Sequence, residues 1–194
     1  MPAVPRSYHQ VARAAATQDM QRRIVDAFAD ALRMRWVDEI TLDDIAATAG
    51  TTRQTVIRMF GGKEGLARAV ADKMSGEIAI RRALPAGSGP RRAAHALVRD
   101  YEITGDVVIR VLAQESRHKV LTALLNVGRR LHREWVTNTF THALPAEGPA
   151  REALITQLVV ATDVYTWKLL RRDFHHSAEE VETLIAEMIT KLLG

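Results

Sequence analysis

The stretch 41–60, TLDDIAATAGTTRQTVIRMF, constrains the fold of this chain more than any other. It opens on Thr41-Leu42-Asp43-Asp44, a Ser/Thr-x-x-Asp/Glu capping box, in which the threonine hydroxyl satisfies an amide at a helix start and the acid reaches back to the cap's own amide. Leu42, Ile45, Ala46 and Ala49 then fall at helical spacing on one side. Gly50 supplies the permissive backbone of a tight turn, and Thr51 or Thr52 can cap a second helix. At about 100° per residue, residues 53–60 separate into two arcs. Val56, Met59 and Phe60 lie on one; Arg53, Gln54, Ile57 and Arg58 lie on the other. Two short helices joined through glycine, the second with long-armed donors outward, describe a helix-turn-helix whose second helix enters the major groove. An αα-hairpin with a solvated charged face satisfies the same window.

The segment that follows narrows the choice. Phe60-Gly61-Gly62-Lys63-Glu64-Gly65-Leu66 reads as an aromatic plug, a glycine turn and a new helix. With Arg23-Ile24, Ala27 and Ile45-Ala46, it makes residues 20–70 resemble the DNA-binding domain of TetR-type transcriptional regulators. That pattern runs approximately R-I-x-x-A, then D-I-A-x-x-A-G-V-S-x-x-T-x-Y-x-x-F-x-x-K-E-x-L. Three positions depart from it: Thr51 stands for the usual valine, Ile57 for a tyrosine that touches the DNA backbone, and Trp36 for the glycine that ends the first helix.

The resemblance implies an all-α chain with an N-terminal three-helix helix-turn-helix DNA-binding domain, residues 1–70, and a C-terminal helical ligand-binding and dimerisation domain, residues 71–194. Thr52, Arg53, Gln54, Ile57, Arg58 and Lys63 form the candidate DNA-contacting set. Arg53, Gln54 and Arg58 are assigned to bases or phosphates, since arginine suits guanine and glutamine suits adenine. Thr52 and Lys63 are assigned to phosphate, while Val56 and Phe60 hold the recognition helix down.

Charge distribution fits this division. Residues 1–99 carry 16 Lys and Arg against 10 Asp and Glu, a net +6, and residues 100–194 carry 11 against 13, a net −2, so the positive charge lies in the half that holds the proposed DNA reader. Attraction to phosphate supplies most non-specific DNA affinity. The chain has no cysteine, which excludes disulfides and thiolate metal sites. Its opening MPAVPRSYHQVARAAA lacks the apolar core of a signal peptide, and no run of about 18 apolar residues is present to span a bilayer. The expected location is the cytoplasm, with no membrane partner.

Taken in order, residues 1–16 read as a flexible arm. Residues 19–35 read as a helix with Ile24, Phe28, Ala31 and Leu32 inward, and Arg22 and Arg23 near its start face phosphate or solvent. A helix over 63–84 links the two halves, ahead of the linker Pro85-Ala86-Gly87-Ser88-Gly89-Pro90. Helices are then expected over 91–103, broken at Thr104-Gly105, and over 106–115, 119–141, 151–171 and 178–193. Ser177-Ala178-Glu179-Glu180, a second capping box, introduces the last.

Two stripes on the final helices, through Ile155, Leu158, Val159, Thr162, Tyr165 and Leu169 and through Val181, Leu184, Ile185, Met188 and Ile189, fit either the domain's own core or an interface. The resemblance assigns them to an isologous homodimer interface. It also implies a small-molecule effector in the second domain. Tyr101, His118, His132, Trp135 and Trp167 are the amphipathic residues suited to its pocket.

No cofactor and no metal site are expected. Glu115 and His118 have the Glu-x-x-His spacing of di-iron bundles, but such sites need a second copy that is missing, and His175-His176 lacks a third ligand. No P-loop, G-x-S-x-G or dinucleotide fingerprint occurs. The expected function is a repressor rather than an enzyme, bound to a palindromic double-stranded operator and released by an effector. The alternatives are an effector-independent architectural DNA-binding protein and a helical-bundle metalloenzyme.

Overall fold

A computed structural model describes residues 6–85 and 87–194. All regular structure among them is helical, and the chain divides into two compact units, Met1–Val70 and Ala71–Gly194.

In the first unit, α1 (Arg6–Met34) is longer than expected. Its opening turns replace the arm read over residues 6–16, because Val11-Ala12-Arg13-Ala14-Ala15-Ala16 has high helix propensity and continues straight into the amphipathic segment. The arm's first five residues lie outside the described ones. Ile24, Phe28 and Leu32 recur at i, i+4 and i+8 and are buried, with Val25 and Ala27 beside them. After α1 the chain turns at Trp36 without glycine. The Trp36 amide donates to Glu39 Oε2 (3.2 Å) and the Glu39 amide to the Trp36 carbonyl (3.1 Å), and Trp36 needs no positive φ.

α2 (Leu42–Thr48) starts with the capping box intact: the Asp44 amide donates to Thr41 Oγ1 (3.1 Å) and the Thr41 amide to Asp44 Oδ2 (3.0 Å). These bonds, with Arg35, hold the Asp44 carboxyl below its usual range. α3 (Arg53–Phe60) is capped by Thr52 and closed by Gly61 in the left-handed region, φ 74°. Ile40, Ile45, Val56, Leu66 and Val70 complete the core.

α4 (Lys63–Arg81) begins in the first unit and ends in the second. The second unit contains α5 (Pro90–Leu112), α6 (Lys119–Thr139), α7 (Pro149–Ala161), α8 (Val164–Lys168) with a π-helical continuation over Leu169–Asp173, and α9 (Ala178–Leu193). Its core joins Leu97, Val98 and Tyr101 of α5 to Val136, Phe140, Leu158, Trp167, Ile185 and Ile189.

Two expectations fail here. α5 runs through Thr104-Gly105 unbroken, because Gly105 serves a close approach and not a turn. A Cβ there would lie 2.6 and 2.8 Å from Cη2 and Cε3 of the buried Trp167. The single helix expected over 151–171 is instead interrupted at Thr162-Asp163, where Asp163 caps α8 by accepting from the Tyr165 amide (2.9 Å).

Gly105→Ala should therefore lower stability: overpacking costs about 1–3 kcal/mol, against about 1 kcal/mol returned by helix propensity. Gly128→Ala on α6, where a Cβ meets nothing within 4 Å, should raise it. Paired thermal melts of the full chain check both signs.

Candidate nucleic-acid interface

The outward face of α3 gathers five of the six residues expected to touch DNA. Val56, fully buried, pins the helix to its unit, with Met59 and Phe60 half-buried beside it. Arg53, Gln54, Ile57 and Arg58 consequently stand exposed on the opposite arc. Thr52 at the N-cap is exposed, and its Oγ1 accepts from the Thr55 amide at 3.2 Å, which leaves the first amides of α3 facing solvent. Arg53 Nη1 reaches Asp43 Oδ2 at 3.4 Å, and both side chains are more than half exposed. Such a pair is worth little in water, so the guanidinium is free to exchange it for a base or phosphate.

Lys63 is placed differently from the other five. Its ammonium donates to the Val37 carbonyl (3.0 Å), and burial pushes its pKa down. It ties the start of α4 to the loop after α1, so the side chain expected on phosphate is already engaged by the protein. Arg23 is likewise occupied: Nη1 donates to the Ala49 carbonyl (3.0 Å) at the C-terminal end of α2, where a cation also opposes the helix dipole. Arg35 joins Asp44 (3.1 Å) and the Glu39 carbonyl. Sequence reasoning placed Arg23 against phosphate or solvent and passed over Arg35, because their acceptors, the Ala49 and Glu39 carbonyls and the Asp44 carboxylate, lie 4 to 26 residues away.

In the second unit, four of the five residues expected around an effector come together. Arg82 is the centre of that group. Its guanidinium lies 4.6 Å from the Tyr101 ring centroid and 5.7 Å from that of Trp135, and its Nη1 meets His132 Nδ1 at 3.1 Å. The Trp135 indole donates to the Arg82 carbonyl (3.0 Å), and Trp167 packs on Tyr101 with ring centroids 5.8 Å apart. Trp167 also donates to Glu102 (3.0 Å).

Asp100, fully buried, receives Arg81 at 2.6 Å and Arg82 at 2.7 Å. Tyr101 donates to the Thr162 carbonyl (3.0 Å), and burial pushes its phenol up to about 12. His118 stands apart at the N-cap of α6, about 21 Å along that helix from His132. A concavity of about 400 Å³ opens elsewhere in this unit, lined by Pro85, Gly87–Arg92 and Thr190.

The expected dimer stripe is corrected in part. Ile155, Leu158 and Thr162 are buried inside their own unit, Thr162 with its hydroxyl donating to the Leu158 carbonyl (2.7 Å). Beyond the break at Thr162-Asp163, Tyr165 and Leu169 of the same stripe are exposed, and Val160 before it is exposed as well. Leu184 and Met188 on α9 are half-buried. Glu115, the candidate metal carboxylate, is paired with Arg129 (2.5 Å), which holds its pKa down.

A capped, glycine-turned helix pair presenting a polar arginine-bearing helix, followed by a separate helical unit, defines a helix-turn-helix architecture. Residues 35–70 match the family described as bacterial regulatory proteins, tetR family. Over 55 residues, 28% of the chain, the sequence is 38% identical to the HTH-type transcriptional regulator AlkX of Mycobacterium tuberculosis, a match that spans 26% of that relative.

The fold is similar to a TetR-family transcriptional regulator from Rhodococcus sp., with TM-score 0.71, 14% identity, and coverage of 91% of this chain and all of that one. It is also similar to a tetR-family transcriptional regulator from Streptomyces coelicolor, with TM-score 0.66, 22% identity, and coverage of 90% of this chain and 80% of that one. Residues 35–70 thus match the helix-turn-helix domain of tetR-type regulatory proteins, and the chain as a whole shares the fold of these solved regulators. Among the described residues, no helix is long and apolar enough to cross a membrane.

Proposed function

We propose that this chain is a cytoplasmic transcriptional repressor, without a catalytic role, that binds a palindromic operator as a homodimer and leaves it when a small molecule binds the second unit. The observation that carries the reading is the outward arc of α3: Arg53, Gln54, Ile57 and Arg58 are exposed together while Val56 is fully buried behind them. A surface of this size and polarity suits insertion into a major groove.

Exposed Val160, Tyr165 and Leu169, with half-buried Leu184 and Met188, supply apolar surface that a second copy would cover. Release requires an effector with greater affinity for the conformation that does not bind DNA, a coupling of about 1–3 kcal/mol. The Arg82 cluster supports a place for it, since Arg82 directly follows α4 and α4 originates beside the recognition helix.

Selection of bound duplexes from fragmented genomic DNA tests this directly. An imperfect palindrome should be recovered, and recovery of unselected sequence would end the proposal. With that site in hand, Arg53→Ala should weaken specific binding by about 1–3 kcal/mol while affecting random duplex far less. Equal losses on both would make Arg53 a phosphate contact.

One observation favours an effector-independent reading. The polar side-chain atoms of Tyr101, His132, Trp135 and Trp167 all have protein partners, so none is left facing a vacant pocket. Thermal-shift screening against a small-molecule library separates the two, because the effector reading requires ligand-dependent stabilisation.

A further inference from the structure

Ile57 is the one apolar side chain on the outward arc of α3, 43% exposed between Arg53, one turn back, and Arg58. It belongs neither to the core that Val56 anchors nor to any polar contact, since it has no donor or acceptor. Its position is central: at about 100° per residue, Ile57 and Gln54 sit in the middle of the arc that runs from Arg53 to Arg58. It is also the fifth of eight residues in a helix whose N-terminal part is the part that reaches base edges in this docking mode.

Inserting α3 into a groove removes water from Ile57. Against phosphate oxygens or the polar edges of guanine, adenine or cytosine, its branched side chain would displace water from groups it cannot bond, which is unfavourable. The major groove offers one apolar group, the C5 methyl of thymine.

We infer that Ile57 reads thymine through its methyl group, making each half-site depend on one thymine beside the base that Gln54 contacts. The inference rests on the operator-binding reading above. Ile57 lies about 4.5 Å along the helix from Gln54, comparable with a base step of about 3.4 Å, so the thymine is expected one or two steps from Gln54's base. A tyrosine at this position can bond the DNA backbone; isoleucine cannot, so a phosphate contact is exchanged for base discrimination.

The test begins with selection by the full-length wild-type chain from a random-sequence duplex pool. Each thymine of the enriched half-site is then replaced in turn by deoxyuridine, which keeps base pairing and removes only the methyl. One position should lose affinity by about fourfold per half-site, the equivalent of one buried methyl group. In Ile57→Ala the ratio of thymine to deoxyuridine affinity at that position should fall to near one, with the melting temperature unchanged because the side chain is outside the core.

Enrichment of a site at which no deoxyuridine matters, or a ratio that persists in Ile57→Ala, overturns the inference while leaving operator binding standing. A pool with no enriched sequence overturns both.

Discussion

Replacing Asp100 with alanine is expected to cost the second unit about 3–5 kcal/mol, because two guanidinium groups lose their common, fully buried counter-charge. Asp100 is fully buried and Arg82 is 6% exposed, so the Arg82 pair carries most of that penalty. Arg81 keeps more access to solvent and to Glu77, and is the easier of the two to satisfy. Asp100→Asn preserves the shape and one acceptor oxygen and should cost less. Chemical denaturation of the full chain measures both; an Asp100→Ala midpoint equal to wild type would show that the arginines find other partners.

Under the proposed release by an effector, the same pair has a second role. Arg81 is the last residue of α4 and Arg82 the next, so Asp100 fastens the end of α4 to α5. Any conformational change passed along α4 must act against this attachment. A variant that loosens it should accordingly alter operator affinity as well as stability, and a gel-shift titration of Asp100→Asn compares the two.

What sequence could and could not reveal follows from the range of the interactions involved. Both capping boxes, Thr41 with Asp44 and Ser177 with Glu180, are made by residues three apart, and each appears at the helix start its pattern specifies. The outward set on α3 was legible for the same reason: an eight-residue helix with one buried valine leaves little freedom about which side faces out.

Interactions across the fold were not legible. Gly105 looked like a helix break, and only Trp167, 62 positions later, shows that it is a notch for an indole ring. The stripe through Ile155, Leu158 and Thr162 was correctly periodic but ran on past Asp163, which caps a new helix. Lys63 resembled a phosphate ligand until the Val37 carbonyl appeared beside it.

His132 yields the second large effect, a loss of stability on mild acidification. Arginine has only donors, so His132 Nδ1 must accept from Arg82 Nη1 at 3.1 Å. The proton of the neutral ring therefore sits on Nε2, which faces Thr162 Oγ1 at 3.1 Å, while that hydroxyl donates onward to the Leu158 carbonyl. A second proton would have to enter against the guanidinium. Burial, and then the Arg82 charge, push the His132 pKa down to about 3 from the ordinary 6.5.

The unfolded chain takes up a proton near 6.5 and the folded chain does not, so the stabilisation is complete above pH 6.5 and is lost as pH falls toward 3. Between pH 6.5 and 5, the loss should reach about 1.5–2 kcal/mol, from a limiting slope of about 1.4 kcal/mol per pH unit. The paired carboxyls of Asp44, Asp106, Glu115 and Glu180 are held below their usual range and titrate at lower pH, leaving this window to histidine. His132→Gln keeps an acceptor for Arg82 and a donor for Thr162 without a titrating proton. Denaturation midpoints measured across this range should fall for wild type and flatten for His132→Gln, and parallel slopes for the two proteins would place the acid sensitivity elsewhere.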